Sequence, residues 1–564
     1  MVKTFPWVAC VALLFFGTLL SAQTPFIAYR GVVNAASLAP PGLPHAGIAR
    51  GSIFTIFGEN LGPATPSTVG AFPLTPIFAG VGVSLVQGGV SVSAIPIFVS
   101  ANQLNVILPS LAPLGEVLLR VSYEGRLSNA VPIRIVENSP GIFAVSSGGF
   151  GPGVIQNFVS AAVQPVNSLQ AAAVAGQVIT IWATGLGPAP FPDNVAPTAT
   201  NLNFPITVTV GERPADVLYA GRSPCCAGVD QIVVRVPNDA PVGCYVPVRV
   251  KSGNGVSNTV SMAIRSGTTV AVEGRCEDRF NPFSALVQTP GRQGIIGLNR
   301  TNAYADTYTA AVEQNTFDSV RAYFVNRPAS PFTFDPYYSL PPPGTCSLQS
   351  TSGNVFQGAP LRGSVPESQT LNAGEALRLV VSSGQPIPIP RVSFPQAGYA
   401  ELVGSQRLTD GTGGLKIEFF NTTRIEGNAN TAVGEFSAGI NSTNLFNWAE
   451  RPTLNRVSRT FPFRVFFTPS DGTAHSVLQL ATYQAVPNAS TLITCVAAPL
   501  VNNFAVPVDL LSHLLPSSGA YDGSQAVIAI GSLPFERAVP FTAPGLDAGL
   551  ALFSQWQIRT TYIE

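Results

Sequence analysis

Between residues 31 and 265, apolar positions come in short runs rich in Val and Ile, often alternating with polar ones and broken by Pro or Gly. Runs of this length with period two predict strands, and their frequent punctuation predicts an all-β sandwich rather than a helical fold. In GSIFTIFGENLGP, residues 51–63, Ile53, Thr55 and Phe57 should face one way and Phe54 and Ile56 the other, so both faces carry apolar groups.

The pattern then recurs with its neighbours in the same order. GQVITIWATGLGP at 176–188 answers the first phrase, DQIVVRVP at 230–237 answers NQLNVILP at 102–109, and VKSGNGVSNTV at 250–260 answers VSYEGRLSNAV at 121–131. The spacing grows only from 125 residues (Gly51 to Gly176) to 129 (Val121 to Val250), too long for a solenoid and right for whole domains in tandem. The repeated phrase is expected to mark the opening strand of each sandwich.

After Arg265 the repeat ends. GLNRTNAYADTYTAAVEQNTFDSVRAYFV, ALRLVVSS, GGLKIEFF and RTFPFRVFF read as further strands, PYYSLPPPGTC at 336–346 as a rigid turn, and VDLLSHLLP at 508–516 as a short helix ending at Pro516. The expected division is a signal peptide at 1–22, sandwiches at 23–137 and 138–266, and β-rich domains at 267–437 and 438–564, with one larger C-terminal domain as the alternative to the last two.

Composition narrows the class. Charged residues are 11% of the 564 and cancel to a formal net charge of zero, and the Arg residues form no stripe, so nucleic acid is not an expected partner. At the N-terminus Lys3, an apolar run from Trp7 to Leu20 and the small residues Ser21 and Ala22 form an export signal. That run falls short of the ~20 residues that span a bilayer, and no transmembrane anchor is expected in the mature chain. Six cysteines follow it, an even number suited to an oxidising compartment. Cys226, Cys244, Cys276 and Cys346 are the disulfide candidates. Because Cys225 and Cys226 would point to opposite sides of an extended strand, only one of them should reach Cys244.

The repeated phrase, with its Gly-then-strand opening and Leu-Gly-Pro close, resembles the start of IPT/TIG domains, an immunoglobulin-like family of cell-surface receptors, transcription factors and bacterial secreted proteins. With GVVNAAS (31–37), FVSANQLNVILP (98–109), SPGIF (139–143) and SPCCAGVDQI (223–232), the chain resembles the tandem repeats of an uncharacterised secreted group of Solibacter-type soil bacteria. APGLDAG (543–549) extends a looser likeness into the C-terminal half. The resemblance implies fold and export, and no activity.

Candidate chemistry is sparse. His45, His475 and His513 share no metal-ligand spacing, no nucleophile elbow, zinc-protease helix or phosphate loop occurs, and neither cofactor nor metal is expected. Glu277 with Asp278, or Glu367 with Glu375, are the carboxylate pairs to try for glycoside hydrolysis. TDGTGG at 409–414 and YDGSQ at 521–525 read as solvated turns rather than calcium loops. Tyr337 and Tyr338 are the candidate platforms for stacking a glycan, with Trp448 also available, whereas Trp556 in FSQWQI reads as core. The expected function is an extracellular or cell-surface binding or structural protein without catalysis, its partner a protein or polysaccharide. The alternatives are a carbohydrate-active enzyme with its site in 270–564, or a non-catalytic glycan-binding protein.

Overall fold

The computed structural model describes residues 24–564 apart from 203, 307–311, 358–360, 365, 367–368, 382–384, 393–397, 408–422, 429–431, 442–445, 470–471 and 518–523. The expected export signal, the 409–414 turn and Glu367 lie outside the described residues.

The chain is all-β: two immunoglobulin-like sandwiches in tandem precede a larger β unit. In the first sandwich Phe26–Asn34, Ile53–Glu59 and Gln103–Ile107 pair in one sheet, and Val81–Gln87, Gly115–Tyr123 and Val131–Val136 in the other. Val90–Val99 serves both: residues 90–94 pair with Val81–Gln87 and residues 95–99 with Gln103–Ile107, across a register shift between Pro96 and Phe98. A bulge lets a strand turn the corner between sheets. The second sandwich uses the same device, Arg213–Arg222 passing from Ile206–Val210 to Asp230–Arg235 with a shift between Val217 and Tyr219.

The repeated phrase is not the opening strand of either copy. Ile53–Glu59 lies between Phe26–Asn34 and Gln103–Ile107, and Val178–Thr184 between Asp230–Arg235 and the short strands Gly141–Ile142 and Ile155–Asn157. This interior position explains its two apolar faces. Phe54 and Ile56 enter the core of the first sandwich, while Ile53 joins Phe143, Ala227 and Val229 of the second in a cluster between them. Each fully buried Phe or Ile contributes about 1.5–3 kcal/mol.

The other repeated motifs are hydrogen-bonding devices. In VSYEGRLSNAV, Ser128 Oγ accepts from Val121 N (2.9 Å) and donates to Asn129 O (2.7 Å), and the Asn129 amide exchanges two bonds with the backbone of Ile27. In VKSGNGVSNTV, Ser257 bonds Val250 N and Asn258 O in the same way, and Asn258 exchanges two bonds with Ile142. Each Asn thus supplies the backbone pair that an edge residue would otherwise lack. GVVNAAS and SPGIF meet at the joint: Asn34 Oδ1 accepts from Ala36 N and Ser37 N, and its Nδ2 donates to Ser139 O (3.0 Å). Gly141 must be glycine here, since a Cβ would stand 2.5 Å from Asn34 Oδ1.

The C-terminal unit has one continuous sheet. From one side it runs through Cys346–Ser352, Ala489–Ala497, His475–Gln484, Gln525–Leu533, Ala548–Thr560, Gly291–Asp306, Val312–Arg327 and Gly398–Arg407. Its centre is a parallel pairing of residues 293–304 with 548–559. Strands from both sides of Ser437 therefore share one sheet, and the division expected there does not appear in the pairing. Two hydrophobic clusters pack against its ends, one centred on Trp448 and Ile493 and one on Phe436 and Phe553, with a third around Phe283 and Tyr338. The expected helix near 508 is a single turn, Val508–Leu511. A helix the strand-focused reading passed over, Pro282–Gln288, starts at an Asn281 cap whose side chain accepts from Phe283 N and Ser284 N, with Pro in the first turn.

The disulfides correct the expected pairing. Cys225 bonds its neighbour Cys226, Cys244 bonds Cys276, and Cys346 bonds Cys495. Cys226 does not reach Cys244 because residues 224–226 form an exposed turn rather than an extended strand, and the alternation of a strand does not apply to it. In the chain-entropy account the separations of 32 and 149 residues correspond to about 4 and 5 kcal/mol.

Where the larger unit meets the sandwiches, His45 and His513 stack edge to face at 4.7 Å, His45 Nε2 lies 3.0 Å from Ser512 Oγ, and Lys251 pairs with Asp509 at 2.9 Å. Burial holds His513 well below the usual imidazole range, with His45 and Arg249 lowering it further; burial also lowers His45, partly offset by Asp509. Both rings are therefore harder to protonate in the fold than in the unfolded chain, which takes up protons below about pH 6.5. Their contribution is intact above that pH and is lost as pH falls below it. Urea unfolding should accordingly show a lower midpoint at pH 5.5 than at 7.5, and His513→Leu should flatten that difference. Separately, Asn129→Ala and Asn258→Ala should each cost about 1–3 kcal/mol, equal losses reflecting the shared role; no change in the urea midpoint would refute it.

Candidate ligand cleft

The middle strands of the C-terminal sheet present one face to a cleft of about 810 Å³. Register fixes what lines its floor. Along Gly291–Asp306 alternate residues Gly297, Asn299 and Thr301 point in; across the strands Arg321 and Leu552 flank Gly297, Ser319 and Ser554 flank Asn299, and Phe317 and Trp556 flank Thr301. The floor is thus a row of hydroxyl and amide groups beside a row carrying two aromatic rings. Gln479 and Ala481 continue it on His475–Gln484, and Tyr337, Phe356, Gln357 and Leu361 form the opposite wall.

Trp556 is held in a defined pose. A Cβ at Gly531, its cross-strand partner, would stand 2.7 Å from each of Cε3, Cζ3 and Cη2 of the indole. A point equidistant from three atoms of a ring lies on the normal through its centre, so the indole lies face down on the glycine. Its Nε1 donates to Ser554 Oγ (2.9 Å), and Ser554 Oγ donates to Asn299 Oδ1 (2.6 Å). The half-buried ring is therefore fixed flat on the sheet, tied to the polar row beside it.

The opposite wall is anchored from beneath. Asp335, fully buried, pairs with Arg327 at 2.6 Å and accepts from Tyr337 N at 3.0 Å, fixing the turn that carries both tyrosines. Phe283 on the short helix stacks on Tyr338 at 5.4 Å, and Tyr323 packs on it at 5.7 Å. Burial raises the phenols of Tyr337 and Tyr338 above the ordinary range. Both tyrosines are half-buried and line the cleft, but the ring of Tyr338 is stacked into the aromatic cluster with Phe283 and Tyr323, which leaves Tyr337 as the freer platform.

The remaining candidates do not converge. Trp448 is a core residue, 2% exposed, and Trp556, expected in the core, lines the cleft. Glu277 pairs with exposed Arg279. Asp278 is half-buried, accepts from Cys244 N at 2.8 Å and from Ser284 Oγ, and has its carboxyl raised by desolvation; it binds sandwich to helix. Glu375 is exposed elsewhere. Among the described residues no three His, Cys, Asp or Glu side chains form a metal-binding group. The described lining of the cleft contains no carboxylate and no imidazole, and Arg321 is its only charged group.

Asn299, Ser554, Gln479 and Arg321 were missed by sequence reasoning. A usable signal existed in the alternate positions Gly297, Asn299, Thr301 and Leu552, Ser554, Trp556, which put polar and aromatic groups on one face of strands otherwise well buried.

No protein family and no curated protein matches the chain. Similar solved structures include the plexin A4 full extracellular region, at 12% identity over 46% of this chain with a TM-score of 0.15; the chain spans 19% of that region's length. Domains 5–6 of the S-layer protein SbsC are 12% identical over 43% of this chain and 100% of theirs, TM-score 0.15. SGBP-B from a complex xyloglucan utilization locus in Bacteroides uniformis is 12% identical over 69% of this chain and 89% of its own, TM-score 0.15. Among the described residues no helix is long and apolar enough to cross a membrane.

Gly531→Ala should lift the indole off the sheet, changing the near-ultraviolet circular dichroism of Trp556 while the far-ultraviolet spectrum is kept. An unchanged near-ultraviolet signal would show that the ring does not depend on the glycine.

Proposed function

We propose that this chain is an exported, non-catalytic binding protein in which the C-terminal unit takes a saccharide in its cleft and the tandem IPT/TIG-like sandwiches, of the Solibacter-type secreted kind, serve as scaffold. The observation that carries the reading is Trp556 laid flat beside the Ser319–Asn299–Ser554 row. A pyranose ring has an apolar C–H face and a rim of hydroxyls. An aromatic face next to fixed amide and hydroxyl groups complements both at once. Three disulfides suit an oxidising compartment and support export.

The non-catalytic part rests on the composition of the lining. Hydrolysis of a glycosidic bond ordinarily uses two carboxylates flanking it, and the described lining offers none. Both sandwiches spend their recurrent motifs on internal hydrogen bonds and on the joint between them, which supports a scaffold role.

The purified chain, run against a polysaccharide panel by affinity electrophoresis, should be retarded by at least one member without releasing new reducing ends. Trp556→Ala should abolish most of that retardation with an unchanged far-ultraviolet spectrum. Release of reducing ends would establish the enzyme reading instead, and retardation indifferent to Trp556 would move the site elsewhere.

A further inference from the structure

Arg321 differs from Arg300 and Arg327, its neighbours on the same strand pair. On the opposite face of the same hairpin Arg300 is paired with Asp318 at 2.8 and 3.0 Å, and Arg327 below the cleft is paired with Asp335. Arg321 is exposed, lines the cleft, and among the described residues has no carboxylate within ion-pair distance. Its charge acts on the phenols of Tyr337 and Tyr338, weakly offsetting the rise that burial imposes on them. A guanidinium presents a planar fork of donors that matches a carboxylate with two parallel bonds. With no acid among the described residues to compete, the described cleft has an unmatched positive charge.

The floor beside Arg321 is also open. Gly297 is its direct cross-strand partner and, on the other side, faces Leu552. A Cβ at Gly297 would meet nothing closer than 3.7 Å, the Asn299 Nδ2 atom, and its backbone is not in the left-handed region. Neither packing nor conformation demands glycine there. Its consequence is a gap in the floor at the foot of the arginine.

Strand geometry sets the span. Trp556 lies in the Thr301 row and Arg321 in the Gly297 row, two strands apart and four residues along, so their Cα atoms are separated by ~16 Å. That exceeds one pyranose ring and suits a short oligomer lying across Gly291–Asp306.

We propose that the cleft takes a uronate-containing saccharide, one ring stacked on Trp556 and the carboxylate of another unit held by Arg321 over Gly297. This deepens the saccharide reading and rests on it. The polar row supplies partners for hydroxyls between the two anchors, and the described lining holds no acid to repel a polyanion. A sulfated sugar presents a related anion, and the test separates the two.

Binding is measured by isothermal titration of the full chain with oligomers of polygalacturonate, of alginate and of glucuronoxylan. The same oligomers with carboxyls reduced to primary alcohols, and a sulfated galactan, complete the set. At least one uronate series should bind and its carboxyl-reduced form should bind roughly tenfold or more weakly. Arg321→Gln should remove that difference while Trp556→Ala weakens both forms, and Gly297→Val should block binding with an unchanged far-ultraviolet spectrum. Equal binding of native and reduced oligomers, with Trp556 still required, would overturn the uronate assignment and leave the saccharide reading intact. Preference for the sulfated galactan would likewise overturn it in favour of the sulfate. Binding of none of these would overturn both.

Discussion

The C-terminal unit depends on one non-local pairing, the parallel ladder between Gly291–Asp306 and Ala548–Thr560. It joins two parts of the sheet, because among the described strands Cys346–Ser352, Ala489–Ala497, His475–Gln484 and Gln525–Leu533 reach the rest only through Ala548–Thr560. It also sets Ser554 against Asn299 and Trp556 against Thr301, so the floor of the cleft is made by the ladder itself. Parallel strands need a long crossover, and here nearly the whole unit is that crossover. The disulfide between Cys346 and Cys495, which are direct register partners, clips the outermost strand of the same sheet.

The sandwiches obey a different economy, in which side chains stand in for backbone. Asn129 and Asn258 complete edge pairings, Ser128 and Ser257 close the turns before them, and Asn34 welds one sandwich to the segment that begins the next. Across the joint Ile53 N donates to Thr184 Oγ1 at 2.9 Å, so the start of one repeated phrase touches the end of the other. The buried Arg222–Asp230 pair is also engaged: Asp230 accepts from Leu186 N and Arg222 donates to Gly187 O, which satisfies the desolvated charges through the Leu-Gly-Pro corner. The motifs shared between copies are accounted for by folding and docking.

That division explains what could be read from the sequence and what could not. The strands, the tandem repeat and the β character of the C-terminal half follow from local alternation, which each segment carries by itself. The site does not, because Asn299 and Ser554 are 255 residues apart in sequence and meet only through the ladder. Trp556 looked like core because a strand covered on both faces carries apolar groups on both; only the glycine opposite, Gly531, identifies the face on which the ring lies open. The vicinal cysteines misled for the converse reason, an assumption of extended chain applied to a turn. His45 and His513 stood apart in sequence and share one joint through docking alone.

The sequence separation between Gly291–Asp306 and Ala548–Thr560 also sets an order of events for the molecule. Synthesis proceeds from the N-terminus, so both sandwiches precede the ladder, and the floor of the cleft cannot form until Ala548–Thr560 has joined Gly291–Asp306. Because the two strands of the ladder stand so far apart in sequence, the cleft forms only after the local hairpins around it.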